Sequence, residues 1–128
     1  MAQIQPLLGP IGGLIYTATV SNSNAINDPL SDDNNQVTVY QIELDNTANS
    51  SATYLKVYNS ATADHDANAP FYILRAEAST KQHIMLPAGT VFGYFSYIVT
   101  TTQSNTEASP TSTANSVNIA VLYAEAPT

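Results

Sequence analysis

The chain of 128 residues contains no cysteine and no tryptophan, and it has few charges. Without cysteine it can form neither disulfide bonds nor thiolate zinc sites. Charged residues make up 10% of the sequence, against roughly 25% in an average soluble domain. Asn, Ser and Thr must therefore supply most of the polar surface. Such a surface loses its water cheaply, which favours a protein that packs against neighbours.

Basic residues are the scarcest charged type. Lys56, Arg75 and Lys81 are the only ones, and the formal net charge is −7 at pH 7. Binding to nucleic acid relies on several Lys or Arg contacts with phosphate groups. Three scattered bases cannot form such a surface, so we predict that the chain does not bind nucleic acid.

Long apolar runs are missing as well. No stretch approaches the roughly 18 apolar residues of a membrane-spanning helix. The first ten residues lack the basic region of a secretory signal, and Pro6, Gly9 and Pro10 interrupt their apolar side chains. We therefore predict neither a membrane span nor a signal peptide.

Segments of alternating hydrophobicity, rich in Val, Ile, Tyr and Thr, are separated by Asn, Asp, Ser, Gly and Pro. This pattern is typical of β-strands. Seven strands are predicted, at residues 13–20, 37–44, 54–58, 71–78, 82–86, 92–101 and 116–123. In the second, the alternation places Tyr40, Ile42 and Leu44 on the face opposite Val39. The sequence Pro87-Ala88-Gly89 is predicted to be the turn after the fifth strand.

Strands with one polar face indicate antiparallel sheets. Seven or eight such strands in about 125 residues fit a β-sandwich or a small barrel. We predict an all-β fold in which residues 13–128 form a single antiparallel β-sandwich with a jelly-roll-like topology.

Residues 1–12 are predicted to form a separate apolar N-terminal arm. An apolar arm that remained free in water would be costly, so it should lie on a protein surface. It could cover an edge of its own domain, or it could cross to a neighbouring subunit. The interface candidates in this arm are Ile4, Leu7, Leu8 and Ile11.

Tyrosine is abundant, with eight residues in the chain. Tyr54 and Tyr58 of the third predicted strand are further interface candidates, because tyrosine is enriched at protein interfaces. The alternatives are cross-strand packing at the rim of the core and stacking on a sugar ring. Lys56, between them, is expected to extend past both rings toward solvent.

Patterns that indicate catalysis or metal binding are weak. Neither His65 nor His83 accompanies a Ser in a Gly-x-Ser-x-Gly setting. Acidic residues cluster in two loops, 28–34 and 64–68, where Asp is a common turn former. A calcium site is the alternative for these loops, because Ca²⁺ binds oxygen ligands of irregular loops. We predict no enzyme activity, no cofactor and no metal site.

Four short motifs follow one another in residues 37–89. They are VTVYQIELDNT at 37–47, YLKVYN at 54–59, PFYIL at 70–74 and IMLPAG at 84–89. Their order and spacing resemble a group of small virion proteins of tailed phages, cyanophages in particular. The likeness covers roughly residues 37–123.

The resemblance implies a capsid decoration (cement) protein on the outer surface of the phage head. Such a protein, often a homotrimer, stabilises the head by bridging subunits of the major capsid protein. A host-surface glycan-binding module of a tail or head fibre is the alternative, and it would need exposed tyrosines beside Asn or Asp. An adaptor or neck protein of the tail is a third interpretation.

Overall fold

A computed structural model describes residues 14–30, 36–63, 69–103 and 111–125. These residues contain no helix, and so none that could cross a membrane. They form seven strands: β1 (Leu14–Val20), β2 (Val37–Asp45), β3 (Thr53–Asn59), β4 (Tyr72–Ala76), β5 (Lys81–Phe92), β6 (Phe95–Thr100) and β7 (Val117–Glu125).

The strands form two antiparallel sheets, as in a β-sandwich. The larger sheet has the order β1-β7-β2-β5, and the smaller has the order β4-β3-β6. From β4 to β7, consecutive strands alternate between the two sheets. Among the described strands neither sheet closes into a barrel. The predicted all-β antiparallel sandwich is therefore confirmed.

The core lies between the sheets and contains a series of aromatic rings. The ring centroids of Phe92 and Phe95 are 5.2 Å apart, and those of Phe95 and Tyr97 are 6.1 Å apart. The hydroxyl groups of Tyr97 and Tyr16 are 2.8 Å apart and share a hydrogen bond. Burial, together with this hydrogen bond, raises the pKa of Tyr97 above its ordinary value.

The central strand β2 contains one residue more than β7 beside it. Val39 is paired with Tyr123 and Gln41 with Leu122, so Tyr40 has no opposite residue on β7. An extra residue of this kind is a β-bulge, which interrupts the regular alternation of side chains.

The bulge keeps all the large apolar residues of β2 on one face. Val37 and Val39 before it are buried, and so are Ile42 and Leu44 after it. The prediction that Val39 and Ile42 lie on opposite faces is wrong, because Tyr40 shifts the phase by one residue.

The strand β5 makes a larger excursion at the same level. Four of its residues, 86–89, lie opposite Tyr40 alone. The strand resumes after Gly89, which has a φ of 79°, and continues to Phe92. The prediction that Pro87-Ala88-Gly89 is a turn between two strands is therefore wrong, and the next strand begins at Phe95.

One end of the sandwich is held together by the buried side chain of Asn46. Its Nδ2 donates to the carbonyl oxygens of Ser51, at 2.9 Å, and Glu77, at 3.1 Å. Its Oδ1 accepts hydrogen bonds from Asn49 Nδ2, at 3.0 Å, and Thr53 Oγ1, at 2.8 Å. These bonds connect the loop after β2 with the turn after β4.

Asn49 extends this network to the segment before β7. Its Oδ1 accepts a hydrogen bond from the backbone N–H of Asn115 at 2.7 Å, and its Nδ2 donates to the carbonyl of Asn115 at 3.0 Å. Three connections between strands thus meet around two asparagine side chains.

We expect Asn46→Ala to lower the free energy of unfolding by about 3 kcal/mol or more, because it leaves several buried polar groups without hydrogen bonds. Asn118→Ala is the matched control. Asn118 is exposed and accepts one hydrogen bond, from Thr19 Oγ1. Removing the Asn118 side chain should therefore lower the free energy of unfolding by less than about 0.5 kcal/mol. Urea unfolding measures both values, and equal losses would contradict the proposed importance of Asn46.

Gly89→Ala tests the excursion of β5. A Cβ atom at this position would overlap Thr38 Cγ2 and lie 3.0 Å from Tyr40 Cε1. With the cost of a positive φ added, we expect a loss of about 2 kcal/mol or more.

Gly93→Ala is the control for Gly89→Ala. The nearest atom to its added Cβ would be Asn59 Oδ1, at 3.8 Å, so thermal unfolding should show little change. Thr38→Ser, which removes Cγ2, should restore part of the stability that Gly89→Ala loses. A Gly89→Ala variant as stable as the original chain would show that the excursion does not constrain the fold.

Candidate functional site

The sandwich has two outer faces, and the described loops cover part of the one on the smaller sheet, around Tyr58 and Ile98. Ile26 and Tyr97 exchange two backbone hydrogen bonds of 2.9 Å, so residues 21–30 lie against β6. The backbone N–H of Asp28 donates to Ser96 Oγ at 3.0 Å. The loop after β3 joins this cover, because Ala63 N–H donates to Asn27 Oδ1 at 3.0 Å.

This cover changes the interpretation of two residues of β3. Tyr58 is only 1% exposed and packs with Ala63 and Ile98 in a second small core. It therefore belongs to the protein's own interior, which corrects its prediction as an interface residue. Lys56 is 0% exposed, so the expectation that it extends into solvent is also wrong.

Tyr54 is half-buried and interacts with a neighbour on β4. Arg75 Nε donates a hydrogen bond to the hydroxyl of Tyr54 at 3.0 Å, and this bond raises the pKa of the guanidinium. Arg75 also forms an ion pair with Glu77, with Nη1 2.6 Å from Oε1. An interface role for Tyr54 stays a prediction. The other interface candidates, Ile4, Leu7, Leu8 and Ile11, lie outside the described residues.

The outer face of the larger sheet is different, because none of the loops just described covers it. Strand pairing arranges its side chains in three rows, each with one residue from β1, β7, β2 and β5 in turn. The rows are Ile15, Leu122, Gln41 and Met85; Thr17, Ala120, Glu43 and His83; and Thr19, Asn118, Asp45 and Lys81. We call this set of twelve residues the outer face.

The first row of the outer face exposes apolar side chains. Ile15 is 69% exposed and Met85 is 55% exposed, at the two ends of the row. Leu122 lies between them and is half-buried. Most of the remaining side chains are neutral and polar. The charged residues Glu43, Asp45 and Lys81 lie on β2 and β5 alone, so the half of the face nearest β1 has no charge.

The small side chain of Ala120 leaves a depression near the centre of the outer face. Its volume is about 470 Å³, and the polar residues that line it are Thr17, Thr19, Glu43 and Asn118. Of the described residues in its lining, Glu43 alone carries a carboxylate, whereas hydrolysis of a glycosidic bond uses two carboxyl groups. Among the described residues, the lining includes no aromatic ring on which a sugar could stack.

The histidines and acidic loops do not form a recognisable site in the described residues. His83 is exposed on the outer face, and His65 lies outside the described part of the chain. One oxygen of Asp28 is buried and accepts no hydrogen bond within the described structure. No group of three His, Asp or Glu side chains that could hold a metal ion occurs in residues 14–30, 36–63, 69–103 and 111–125.

The outer face was not predicted from the sequence, although the sequence contains a signal for it. Ile15, Leu122 and Met85 each occur in the polar phase of an amphipathic strand. Singly, an exposed apolar side chain is ordinary. Only the strand order brings these three into one row.

Comparison with known protein families finds no matching family, and a search of curated proteins finds no match. These comparisons therefore add nothing to the resemblance between the four motifs and small phage virion proteins, which stays a prediction. The geometry of the outer face is the main structural guide to function.

The third row of the outer face allows a prediction about pH. Thr47 donates two hydrogen bonds to Asp45 Oδ1, from its hydroxyl at 2.6 Å and from its backbone N–H at 3.0 Å. These bonds hold the pKa of the Asp45 carboxyl below its ordinary value of 3.8. The ionised Asp45 carboxylate therefore stabilises the fold at pH values above 3.8. This stabilisation is lost as the pH falls through the lowered pKa of Asp45.

We expect Thr47→Val to raise the pKa of Asp45 toward 3.8, because the hydroxyl donor is the largest cause of the shift. NMR titration of the carboxyl carbon between about pH 2 and 6 measures this pKa. Thr19→Val is the control, since Thr19 bonds to Asn118 instead. An identical Asp45 titration in Thr47→Val and the original chain would contradict the assignment.

Proposed function

We propose that this chain is a structural protein of a phage particle, and specifically a decoration protein on the outer surface of the capsid. In this proposal the outer face binds the major capsid protein. Its function is the burial of surface at the joints between capsid subunits, which stabilises the head. No reaction, cofactor or metal ion takes part.

The observation that carries the proposal is the outer face of the larger sheet, which none of the described loops covers. Protein interfaces combine an apolar centre with polar surroundings and contain few charges. The row of Ile15, Leu122 and Met85 supplies apolar area, and Val91 beside Thr38 adds a further apolar side chain that is 53% exposed. The neutral Thr, Gln and Asn side chains around them lose their water at low cost.

Two properties of the whole chain support a position on the outside of a capsid. The net charge of −7 would repel packaged DNA, so an inner position is unfavourable. The low content of charged residues fits a protein whose surface is permanently in contact with other proteins. The resemblance of the four motifs to phage virion proteins supports the same class.

A glycan-binding module is less well supported by the described residues. The three rows of the outer face contain no tyrosine, and the nearest one, Tyr40, packs its ring beside Thr38 and Gly89. Tyr54 lies on the other sheet, and its hydroxyl already accepts a hydrogen bond from Arg75 Nε. We therefore favour capsid binding over glycan binding.

We expect Met85→Lys to weaken binding to expanded capsids at least about tenfold, because it would bury an unpaired charge at the contact. Ile73→Lys is the matched control. Ile73 is 40% exposed and lies on β4 of the smaller sheet, so its substitution adds the same charge away from the outer face. Co-sedimentation with capsids of the phage that carries the chain measures the affinity.

The capsids for this experiment should lack the protein before it is added. If the original chain does not bind them, or if labelled antibody does not find it on virions, the proposed function is wrong. Equal weakening by Met85→Lys and Ile73→Lys would mean that the outer face is not the contact.

A further inference from the structure

The four edge strands of the two sheets differ in how they are protected from pairing with another chain. Edge strands expose unpaired N–H and C=O groups, and proteins protect them with covering loops, charges, prolines or bulges. The edge of β6 is covered, because Ile26 bonds to the backbone of Tyr97. The edge strand β5 contains Lys81, Pro87 and the excursion at residues 86–89. The edge strand β4 has five residues and contains Arg75.

The remaining edge strand, β1, has none of these protections within the residues that the structure describes. Its seven residues, LIYTATV, include no charge, no proline and no glycine. Its register with β7 is continuous from Leu14 opposite Tyr123 to Val20 opposite Val117. In the part of the chain that the structure describes, no residue forms a backbone hydrogen bond to its other edge.

The sequence of β1 is also complementary to itself in the antiparallel direction. If two copies paired about a two-fold axis at Thr17, Tyr16 would lie opposite the partner's Ala18. A large ring would thus meet a small side chain. Ile15 would lie opposite the partner's Thr19, and the two Thr17 residues would face each other. Thr–Thr and apolar cross-strand pairs are favourable, and no like charges would meet.

The N-terminal arm is a poorer occupant of this edge. Residues 1–13 contain Pro6 and Pro10, and three glycines. Proline cannot donate to a strand ladder, and glycine weakens a strand. A second copy of β1 has seven residues that can pair, without any of these interruptions.

We infer that two copies of this chain associate through their β1 strands, which pair antiparallel about a two-fold axis at Thr17. The two larger sheets then form one continuous sheet of eight strands, and the two outer faces become a single surface. Because the contact uses the same edge of both copies, it is closed and does not propagate into a fibre. The contact requires an even number of copies, in contrast to the trimer that the resemblance implies.

Light scattering of the purified full chain over a range of concentrations tests the inference. We expect a mass of two chains of 13.6 kDa each. Thr17→Lys and Thr17→Glu should each give single chains, because two like charges would face each other at the axis. An equimolar mixture of the two variants should recover the double mass, since Lys would then face Glu.

The charge controls are His83→Lys and His83→Glu, which lie on β5 at the opposite edge of the same face. They should leave the double mass unchanged. Leu7→Glu combined with Leu8→Glu tests the arm in the full chain, and it should also leave the mass unchanged. Thermal unfolding followed by circular dichroism should show that the Thr17 variants fold, because Thr17 is exposed.

Four results would overturn the inference: a single-chain or three-chain mass for the original protein, a double mass for Thr17→Lys, a mixture that stays monomeric, or dissociation by the arm variant. The inference does not depend on the capsid role. A dimer that ignores capsids would refute only the proposed function, and a capsid-binding monomer would refute only the β1 contact.

Discussion

The extra residue at Tyr40 is the constraint on which both faces of the larger sheet depend. The strand β2 pairs with β7 on one side and with β5 on the other, so its phase determines which side chains of three strands face inward. Without the bulge, Val37 and Val39 would point away from the core if Ile42 and Leu44 pointed into it. The excursion of β5 lies opposite the bulge. Because Gly89 has no side chain, the β5 backbone can approach Thr38 and Tyr40 closely there. The rows of the outer face follow from the same register.

The polar network around Asn46 has a different role, because it connects loops. The strands themselves pack against one another through apolar contacts. A buried amide offers donors and an acceptor at once, so one side chain can satisfy backbone groups from several segments. Here it fixes the loop after β2 against the turn after β4, while Asn49 fixes the segment before β7. Both larger-sheet strands β2 and β7 are thereby anchored at the same end.

Much of the fold was predictable, since the alternating pattern of each strand is a local property. All seven predicted strands occur, and β1, β2 and β7 differ from the predicted bounds by at most two residues. The errors have a common cause. The motif at Pro87-Ala88-Gly89 has the composition of a turn, yet pairing with β2 continues beyond it. Tyr58 and Lys56 have the pattern of a solvent-facing phase, yet both are buried, and Tyr58 packs with Ala63 of the loop after β3.

Composition establishes the scarcity of positive charge, and period-two patterning, which acts over a few neighbouring residues, predicts the class of fold and the positions of the strands. The tertiary structure was needed to show which sheet the described loops lie against, which tyrosines are accessible and which edge strand no described residue pairs with. Those properties depend on the order of strands and on loops that return from distant parts of the chain. The row of Ile15, Leu122 and Met85 is the clearest case. Its members are separated by up to 107 residues, and no local pattern connects them until β7 and β2 lie side by side.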